Sequence, residues 1–131
     1  MQRIPTATWI LIADGTEARL LANVGTAVDV SLKQERMLGP SNLDDDGPSG
    51  HRPPESDGQS TDEATFAKQL ARWLNAAALN DEFEHLVLMA DPQTLGQIRP
   101  QLHAETRRRL IREVAKTMTK SPLQDIEKAL V

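Results

Sequence analysis

The sequence predicts an α/β fold with a mixed β-sheet, and three observations support that prediction. Apolar residues recur at three- and four-residue steps over residues 66–77, a continuous apolar run covers residues 86–90, and a β-type run covers residues 8–13. The first pattern is typical of a helix with one buried face, and a continuous run is typical of a strand covered on both faces, as in a parallel sheet. A chain of 131 residues with this pattern is expected to form one α/β domain.

The N-terminal part predicts an antiparallel meander. The first strand, residues 8–13, ends at the turn dipeptide Asp14-Gly15, and residues 18–22 follow closely enough to pair back onto it. Apolar and polar residues then alternate from Ala27 to Arg36, which predicts a half-exposed third strand at or near a sheet edge.

A long polar segment, residues 39–59, follows the meander. It is rich in proline and glycine and contains the acidic run Asp44-Asp45-Asp46. Such a segment buries too little apolar surface to offset its ordering entropy, and loops of this length inside a compact domain are usually functional or disordered. We expect this loop to be mobile in the free protein.

The central helix, strand and helix have recognisable boundaries. Ser60 and Glu63 have the spacing of a capping box, which places the start of the longest helix. A central strand is predicted over residues 85–90, after which Asp91 can cap the next helix and Pro92 suits its first turn. The apolar residues Leu95, Ile98 and Leu102 would form the inner face of that helix.

The last third allows two interpretations. Residues 104–110 predict a short helix and residues 111–116 a last strand, but a single helix from Ala104 through Lys116 fits almost as well. Ser121-Pro122, with Gln124 completing a second capping box, predicts a final helix whose apolar residues face inwards.

Composition excludes several classes of site and protein. The chain contains no cysteine, so disulfides, thiolate catalysis and cysteine-ligated metal sites are ruled out. No apolar stretch approaches the roughly 20 residues that cross a bilayer, and the N-terminal apolar run is too short for a signal peptide. We therefore expect a cytoplasmic protein without membrane insertion.

The net charge of −4 hides an asymmetry. Residues 1–96 contain 7 basic and 15 acidic residues, whereas residues 97–131 contain 8 basic and 4 acidic ones. The basic residues of the C-terminal third could bind RNA phosphates or an acidic partner, or could form an ordinary solvated surface. These residues are Arg107, Arg108, Arg109, Arg112, Lys116 and Lys120. With only two Phe, two Trp and no Tyr, base-stacking platforms are scarce, and RNA binding would be electrostatic.

Two aspartates are weak candidates for catalysis. Asp14 and Asp91 each follow an apolar strand at a turn, where α/β proteins often place active-site carboxylates, although a turn and a helix cap explain both residues.

Metal and cofactor sites are not predicted. The three histidines lack metal-ligand spacing, and residues 44–46 lack the alternating spacing of a calcium loop. The histidines are His51, His85 and His103. Phosphate-binding glycine fingerprints and a serine nucleophile elbow are missing as well. We therefore expect no metal and no cofactor.

Several stretches together carry a family resemblance. They are Trp9-Ile10-Leu11-Ile12-Ala13-Asp14-Gly15, Ala18-Arg19-Leu20, Phe66-Ala67, residues 70–74, Leu86-Val87-Leu88, Leu95-Gly96-Gln97-Ile98-Arg99, Lys116-Thr117-Met118-Thr119 and Ser121-Pro122. This set resembles the bacterial host-attachment protein family over nearly the whole chain except the 39–59 loop. The family's closing Lys-Asp-Leu-Thr stretch is matched loosely, because Thr117 stands in place of its aspartate.

The resemblance implies a fold like the middle domain of archaeal and eukaryotic peptide-chain release factors and of Pelota. In release factors, a Gly-Gly-Gln loop before a long helix presents a glutamine to peptidyl-tRNA. The matching place here reads Asp57-Gly58-Gln59, with Asp57 in place of the first glycine. Gln59 is therefore a weak catalytic candidate, because its amide could position a water, or it is simply a polar residue leading into the helix.

Three functional hypotheses follow. The first is a non-enzymatic cytoplasmic protein of the host-attachment family, acting indirectly in attachment to host cells through a protein or RNA partner. The second is a ribosome-associated factor that binds RNA through its basic C-terminal third. The third is a small metal-dependent hydrolase that uses Asp14 or Asp91. The identity of any protein partner and the oligomeric state stay open.

Overall fold

The computed structural model describes residues 4–39 and 59–130, with side chains described from residue 64 onwards in the second segment. The strands are β1 (Trp9–Ala13), β2 (Ala18–Asn23), β3 (Leu32–Leu38), β4 (Leu86–Ala90) and β5 (Leu110–Val114). The helices are α1 (Gln59–Leu79), α2 (Pro92–Ile98), α3 (Ala104–Arg109) and α4 (Leu123–Leu130), and a 3₁₀ turn, Arg99–Gln101, follows α2.

The strands form one mixed sheet in the order β3-β2-β1-β4-β5. Strand β1 pairs antiparallel with β2 and parallel with β4, and β4 pairs parallel with β5. The predicted α/β class, the antiparallel N-terminal meander and the buried central strand are confirmed. Strand β4 joins the meander in the same sheet, beside β1.

Two apolar cores cover the two faces of this sheet. Leu11 and Ala13 of β1 pack with α1 and α2 on one face, whereas Ile10 and Ile12 pack with α4 on the other. Every residue of β4 is buried, as expected for a parallel strand that is covered on both sides. The sheet therefore lies between the helices α1 to α3 and the single helix α4.

The third strand was predicted too early in the chain. It runs from Leu32 to Leu38 rather than over residues 27–36, and Val28 is 79% exposed. The side chain of Asn23 explains the difference, because its Oδ1 accepts hydrogen bonds from the backbone N–H groups of Gly25 (2.9 Å) and Ser31 (3.0 Å). These bonds close residues 24–31 into a loop, and strand pairing starts only after it.

The last third follows the first of its two interpretations. Helix α3 ends at Arg109, β5 pairs parallel with β4, and the continuous helix through Lys116 is wrong. Helix α2 is shorter than predicted, because Pro100 disrupts the helix and the chain tightens into the 3₁₀ turn; Leu102 is nevertheless buried beyond it.

Two other predictions concern helix starts and the long loop. Helix α4 begins at Leu123, and no capping hydrogen bond from the Ser121 side chain occurs in the part of the chain that the structure describes. The side chains of Ser60 and Glu63, and residues 40–58 of the predicted loop, lie outside the described residues.

No helix in residues 4–39 and 59–130 is long and apolar enough to cross a membrane.

A buried amide joins α1 to the segment that follows α2. Asn75, which is 5% exposed, donates from Nδ2 to the carbonyl oxygen of Gln101 (3.1 Å). Its Oδ1 accepts from the backbone N–H of His103 (2.9 Å) and from the hydroxyl of Thr106 (2.7 Å). One side chain thus satisfies three polar groups between the helices.

We expect Asn75→Ala to lower the free energy of unfolding by about 2–4 kcal/mol, because it leaves the Thr106 hydroxyl and the His103 N–H without their acceptor in a buried site. Urea denaturation measures the change. Lys68→Ala, at an exposed position of the same helix, is the control and should shift stability by no more than about 0.5 kcal/mol. A similar loss in both variants would contradict the structural role of Asn75.

Candidate functional site at the carboxyl edge of the parallel strands

The two candidate aspartates lie side by side at one edge of the sheet. Ala13 is paired with Ala90 in the parallel ladder, so Asp14 and Asp91 leave adjacent strands at their carboxyl ends. This edge is where open α/β sheets commonly bind ligands. The structure therefore brings together two residues that are 77 positions apart in the sequence.

Asp91 is used as a helix cap. Its Oδ2 accepts from the backbone N–H of Thr94 (3.1 Å), and its Oδ1 accepts from the Thr94 hydroxyl (2.7 Å). The predicted cap and the proline in the first turn of α2 are confirmed. Both carboxylate oxygens are thereby used within the α2 start.

Asp14 organises the β1–β2 turn and contacts the C-terminal segment. Its Oδ1 accepts from the N–H of Thr16 (2.7 Å), the hydroxyl of Thr16 (2.9 Å) and the N–H of Glu17 (2.9 Å). Its Oδ2 accepts from the hydroxyl of Thr119 (2.7 Å). Burial raises the pKa of Asp14, but these hydrogen bonds together outweigh that effect and hold its pKa below the usual 3.8.

A buried arginine lies on the α4 side of the same turn. Arg19 of β2 is 8% exposed, and its Nε donates to Oε1 of Gln34 (2.9 Å). Its Nη1 donates to the carbonyl oxygens of Thr119 (3.3 Å) and Ser121 (2.7 Å). No carboxylate of the described residues forms an ion pair with it. The guanidinium is therefore held by neutral acceptors.

Asp14, Arg19 and Thr119 form what we call the end clamp, because they join the start of the chain to its last segment. Of these three residues, only Asp14 was predicted from the sequence as a site residue; Arg19 and Thr119 were not. The available signal was that Arg19 and Thr119 both lie in stretches that carry the family resemblance. Thr117, the departure from that pattern, is exposed and takes part in none of these hydrogen bonds.

The start of α1 lies towards the same edge. The helix has 21 residues, or about 30 Å, whereas β1 has five residues, or about 17 Å. Because α1 leads to the amino end of β4, its first residue, Gln59, lies towards the carboxyl edge. Phe66 is a buried residue of α1 that packs with the sheet. Gln59 is the first residue of α1, whereas the sequence predicted it just before the helix with Ser60 as the cap; its side chain is outside the described residues.

The triple arginine lies at the opposite edge and is largely used within the fold. Arg107 donates to the carbonyl oxygens of Leu102 (3.0 Å) and Arg99 (3.2 Å). The Arg109 side chain, 13% exposed, donates to Asp81 (2.9 Å) and to the carbonyl oxygen of Phe83. These contacts place both residues near the amino ends of β4 and β5.

Glu105 connects two of these arginines. It forms ion pairs with Arg108 and Arg109 in successive positions of α3. Hydrogen bonds from Arg108 and then from Arg109 hold the pKa of Glu105 below its usual value, and the Glu105 hydrogen bond raises the pKa of Arg109. The Arg108 side chain is 68% exposed, whereas the Arg109 side chain is 13% exposed.

The other predicted basic residues lie elsewhere. Arg112 of β5 donates to the carbonyl oxygen of Leu130 (2.7 Å), on the α4 side of the sheet. Lys116 and Lys120 are exposed and follow the end of β5, near the carboxyl edge. The structure therefore separates the six basic residues into three at one edge of the sheet, two near the other and Arg112 on the α4 face, and their role in RNA binding stays a prediction.

No group of three or more metal-ligating side chains occurs within residues 4–39 and 64–130. His85 accepts a hydrogen bond from the Trp9 N–H at its backbone carbonyl (3.0 Å), and His103 donates its own N–H to Asn75. His51 and the acidic run 44–46 lie outside the described residues.

Comparison with known proteins gives one family. A family model described as "Bacterial archaeo-eukaryotic release factor family 12" matches residues 7–130. This range includes the end clamp, the carboxyl edge and Gln59. No curated protein matches the chain.

The Asp14 carboxylate should make stability depend on pH. Because its folded-state pKa lies below the unfolded one, the stabilisation is present above about pH 4 and is lost as pH falls through the folded pKa. We expect Asp14→Asn to be less stable than the unchanged protein at neutral pH, and the difference to shrink in acid. Urea denaturation at about pH 7 and about pH 3 tests this expectation.

The control for this comparison is Asp29→Asn, at an exposed position of the β2–β3 loop. That variant should change stability by no more than about 0.5 kcal/mol at either pH. A stability difference for Asp14→Asn that stays constant between the two pH values would contradict the assignment.

Proposed function

The chain belongs to bacterial archaeo-eukaryotic release factor family 12, and from that premise we propose that it is a non-enzymatic RNA-binding protein that associates with the ribosome. The observation that carries the proposal is the position of Gln59 at the start of the longest helix, towards the carboxyl edge of the sheet. In the release factors that the sequence resembles, a glutamine at this place is presented to peptidyl-tRNA.

Charges at the carboxyl edge suit a phosphate-bearing partner. Lys116 and Lys120 are exposed there, and the amino ends of α1 and α2 carry the positive end of each helix dipole. The carboxylates of Asp14 and Asp91 accept hydrogen bonds from their own turns, so their oxygens are directed at the backbone of those turns. We therefore place the RNA contact at this edge rather than at the triple arginine.

The same hydrogen bonds favour binding over catalysis. All four carboxylate oxygens of Asp14 and Asp91 accept hydrogen bonds from their own turns or from Thr119. These bonds give each carboxylate a structural role, Asp91 as a helix cap and Asp14 as the acceptor that organises its turn. The proposal accordingly gives neither aspartate a catalytic role.

Attachment to host cells would be an indirect effect in this proposal. The resemblance to host-attachment proteins predicts such a role, and a protein that acts on translation in the cytoplasm could change which surface proteins are made. Loss of ribosome binding should then reduce attachment, although no attachment surface needs to exist on this chain.

We expect the protein to sediment with ribosomes from its own lysate at about 50 mM salt and to be released at about 200 mM, because phosphate contacts weaken steeply with salt. Lys116→Ser/Lys120→Ser should weaken binding and lower the slope of log affinity against log salt by about 1 for each lysine. Ultracentrifugation through a sucrose cushion, followed by immunoblotting, measures both effects.

The matched control is Lys68→Ser/Lys128→Ser, which removes two exposed charges away from the carboxyl edge. It should retain most of the binding. Arg107 and Arg109 are left unchanged, because their contacts with backbone carbonyls would confuse a loss of binding with a loss of folding. Protein that stays above the cushion and out of the ribosome pellet at both salt concentrations would overturn the proposal.

A further inference from the structure

Three of the chain's four aromatic side chains form one stack. The Trp9 ring lies 4.8 Å from that of Phe83 and 5.4 Å from that of Trp73, with interplanar angles of 30° and 15°. Phe83 is buried, whereas Trp9 and Trp73 are half-buried, so the stack runs from the core to the surface. The few aromatic residues are thus concentrated at one place.

A cation continues this stack outwards. The guanidinium carbon of Arg36 lies 5.6 Å from the centroid of the Trp73 ring, within the range of a cation–π contact. Arg36 itself is exposed. Guanidinium planes and indole rings are both surfaces on which nucleobases stack.

A second cation lies on the same face of the sheet. Arg36 is paired with Leu20 and Lys33 with Ala22, and residues that are directly paired point to the same side. The register shift at Leu20/Leu21 leaves Glu35 without a pairing partner and brings these two basic residues onto one face despite their odd spacing. We call Trp73, Arg36 and Lys33 the stacking platform.

Within residues 4–39 and 64–130, the charge of the platform is not neutralised by ion pairs. Among the described residues, no carboxylate forms an ion pair with Lys33 or Arg36. Near them, Gln69 of α1 is 5% exposed and lies one helical turn before Trp73 on the same flank. Its Oε1 accepts no hydrogen bond from any described residue. This side of α1 and β3 thus combines the half-buried Trp73 ring, the cations Lys33 and Arg36, and the Gln69 Oε1 atom, which has no donor among the described residues.

We propose that the stacking platform binds an unpaired base of single-stranded RNA. The base stacks on the outer side of the Arg36 guanidinium, which itself lies over the Trp73 ring, and Lys33 contacts the adjacent phosphate. The choice of RNA rests on the proposed function, whereas the stacking follows from the side chains alone. This site lies on β3 and the middle of α1, and it shares no residue with Lys116 or Lys120.

The test is a titration of the full chain with an oligoadenylate RNA of about ten nucleotides, a length within the footprint of small single-strand-binding domains. Tryptophan emission should be quenched as the base stacks, and fluorescence anisotropy of labelled RNA gives the affinity. Arg36→Gln and Trp73→Leu should each weaken binding roughly tenfold, the size expected for the loss of one stacking interaction. Lys68→Gln, which removes an exposed charge of α1, should leave the affinity within about twofold.

Because Trp73 is half-buried, thermal unfolding of Trp73→Leu must show that the variant is folded, and Arg36→Gln, at an exposed position, provides the independent measurement. Absence of binding, equal binding by all variants, or equal binding of a duplex of the same length would overturn the platform. The ribosome assay separates the two proposals. Sedimentation that depends on Lys116 and Lys120, with oligonucleotide binding insensitive to Arg36 and Trp73, would overturn the platform alone. Platform-dependent binding without sedimentation would overturn the ribosome proposal alone.

Discussion

The parallel pairing of β1 with β4 is the constraint on which the rest of the structure depends. Both strands bury apolar side chains on both faces, so water must be excluded from each side of the sheet. Helices α1 to α3 cover one face because the crossovers into β4 and β5 pass over it. No crossover among the described residues passes over the opposite face, which is covered by α4 and by Ile4 of the N-terminal segment.

The last segment, which leads into α4, is held by hydrogen bonds from the charged Arg19 side chain as well as by apolar burial. Helix α4 has eight residues, too few for a stable isolated helix, and it buries Ile126 and Leu130 against the sheet. Arg19 donates to two carbonyl oxygens just before the helix, and hydrogen bonds that involve a charged group contribute about 1.5–3 kcal/mol each. Desolvation of the guanidinium opposes this gain. The end clamp therefore fixes the position of the last segment more than it adds net stability.

The sequence predicts best where one physical effect dominates. Apolar periodicity placed α1 and β4, and the Asp91 cap placed α2, because burial and local hydrogen bonding act through neighbouring residues. The start of β3 was missed because one side chain, Asn23, binds backbone groups on both sides of a loop. The end clamp was missed because Arg19 and Thr119 are 100 residues apart and no pattern in one sequence links them. The family resemblance includes the stretches that contain Arg19 and Thr119, but it does not predict that these two residues are in contact.

The functional site was hard to predict for the same reason, because the sequence does not show which charged residues contact the rest of the fold. The C-terminal third is basic in sequence, yet Arg107, Arg109 and Arg112 donate to backbone carbonyls of the fold itself. An arginine that donates to backbone carbonyls holds these chain segments together. Only the exposed part of its guanidinium can then contact a partner. Lys116 and Lys120, by contrast, remain exposed at the carboxyl edge. Which cations are free to contact any acidic partner thus depends on which ones already donate to the fold, and only the contacts show this.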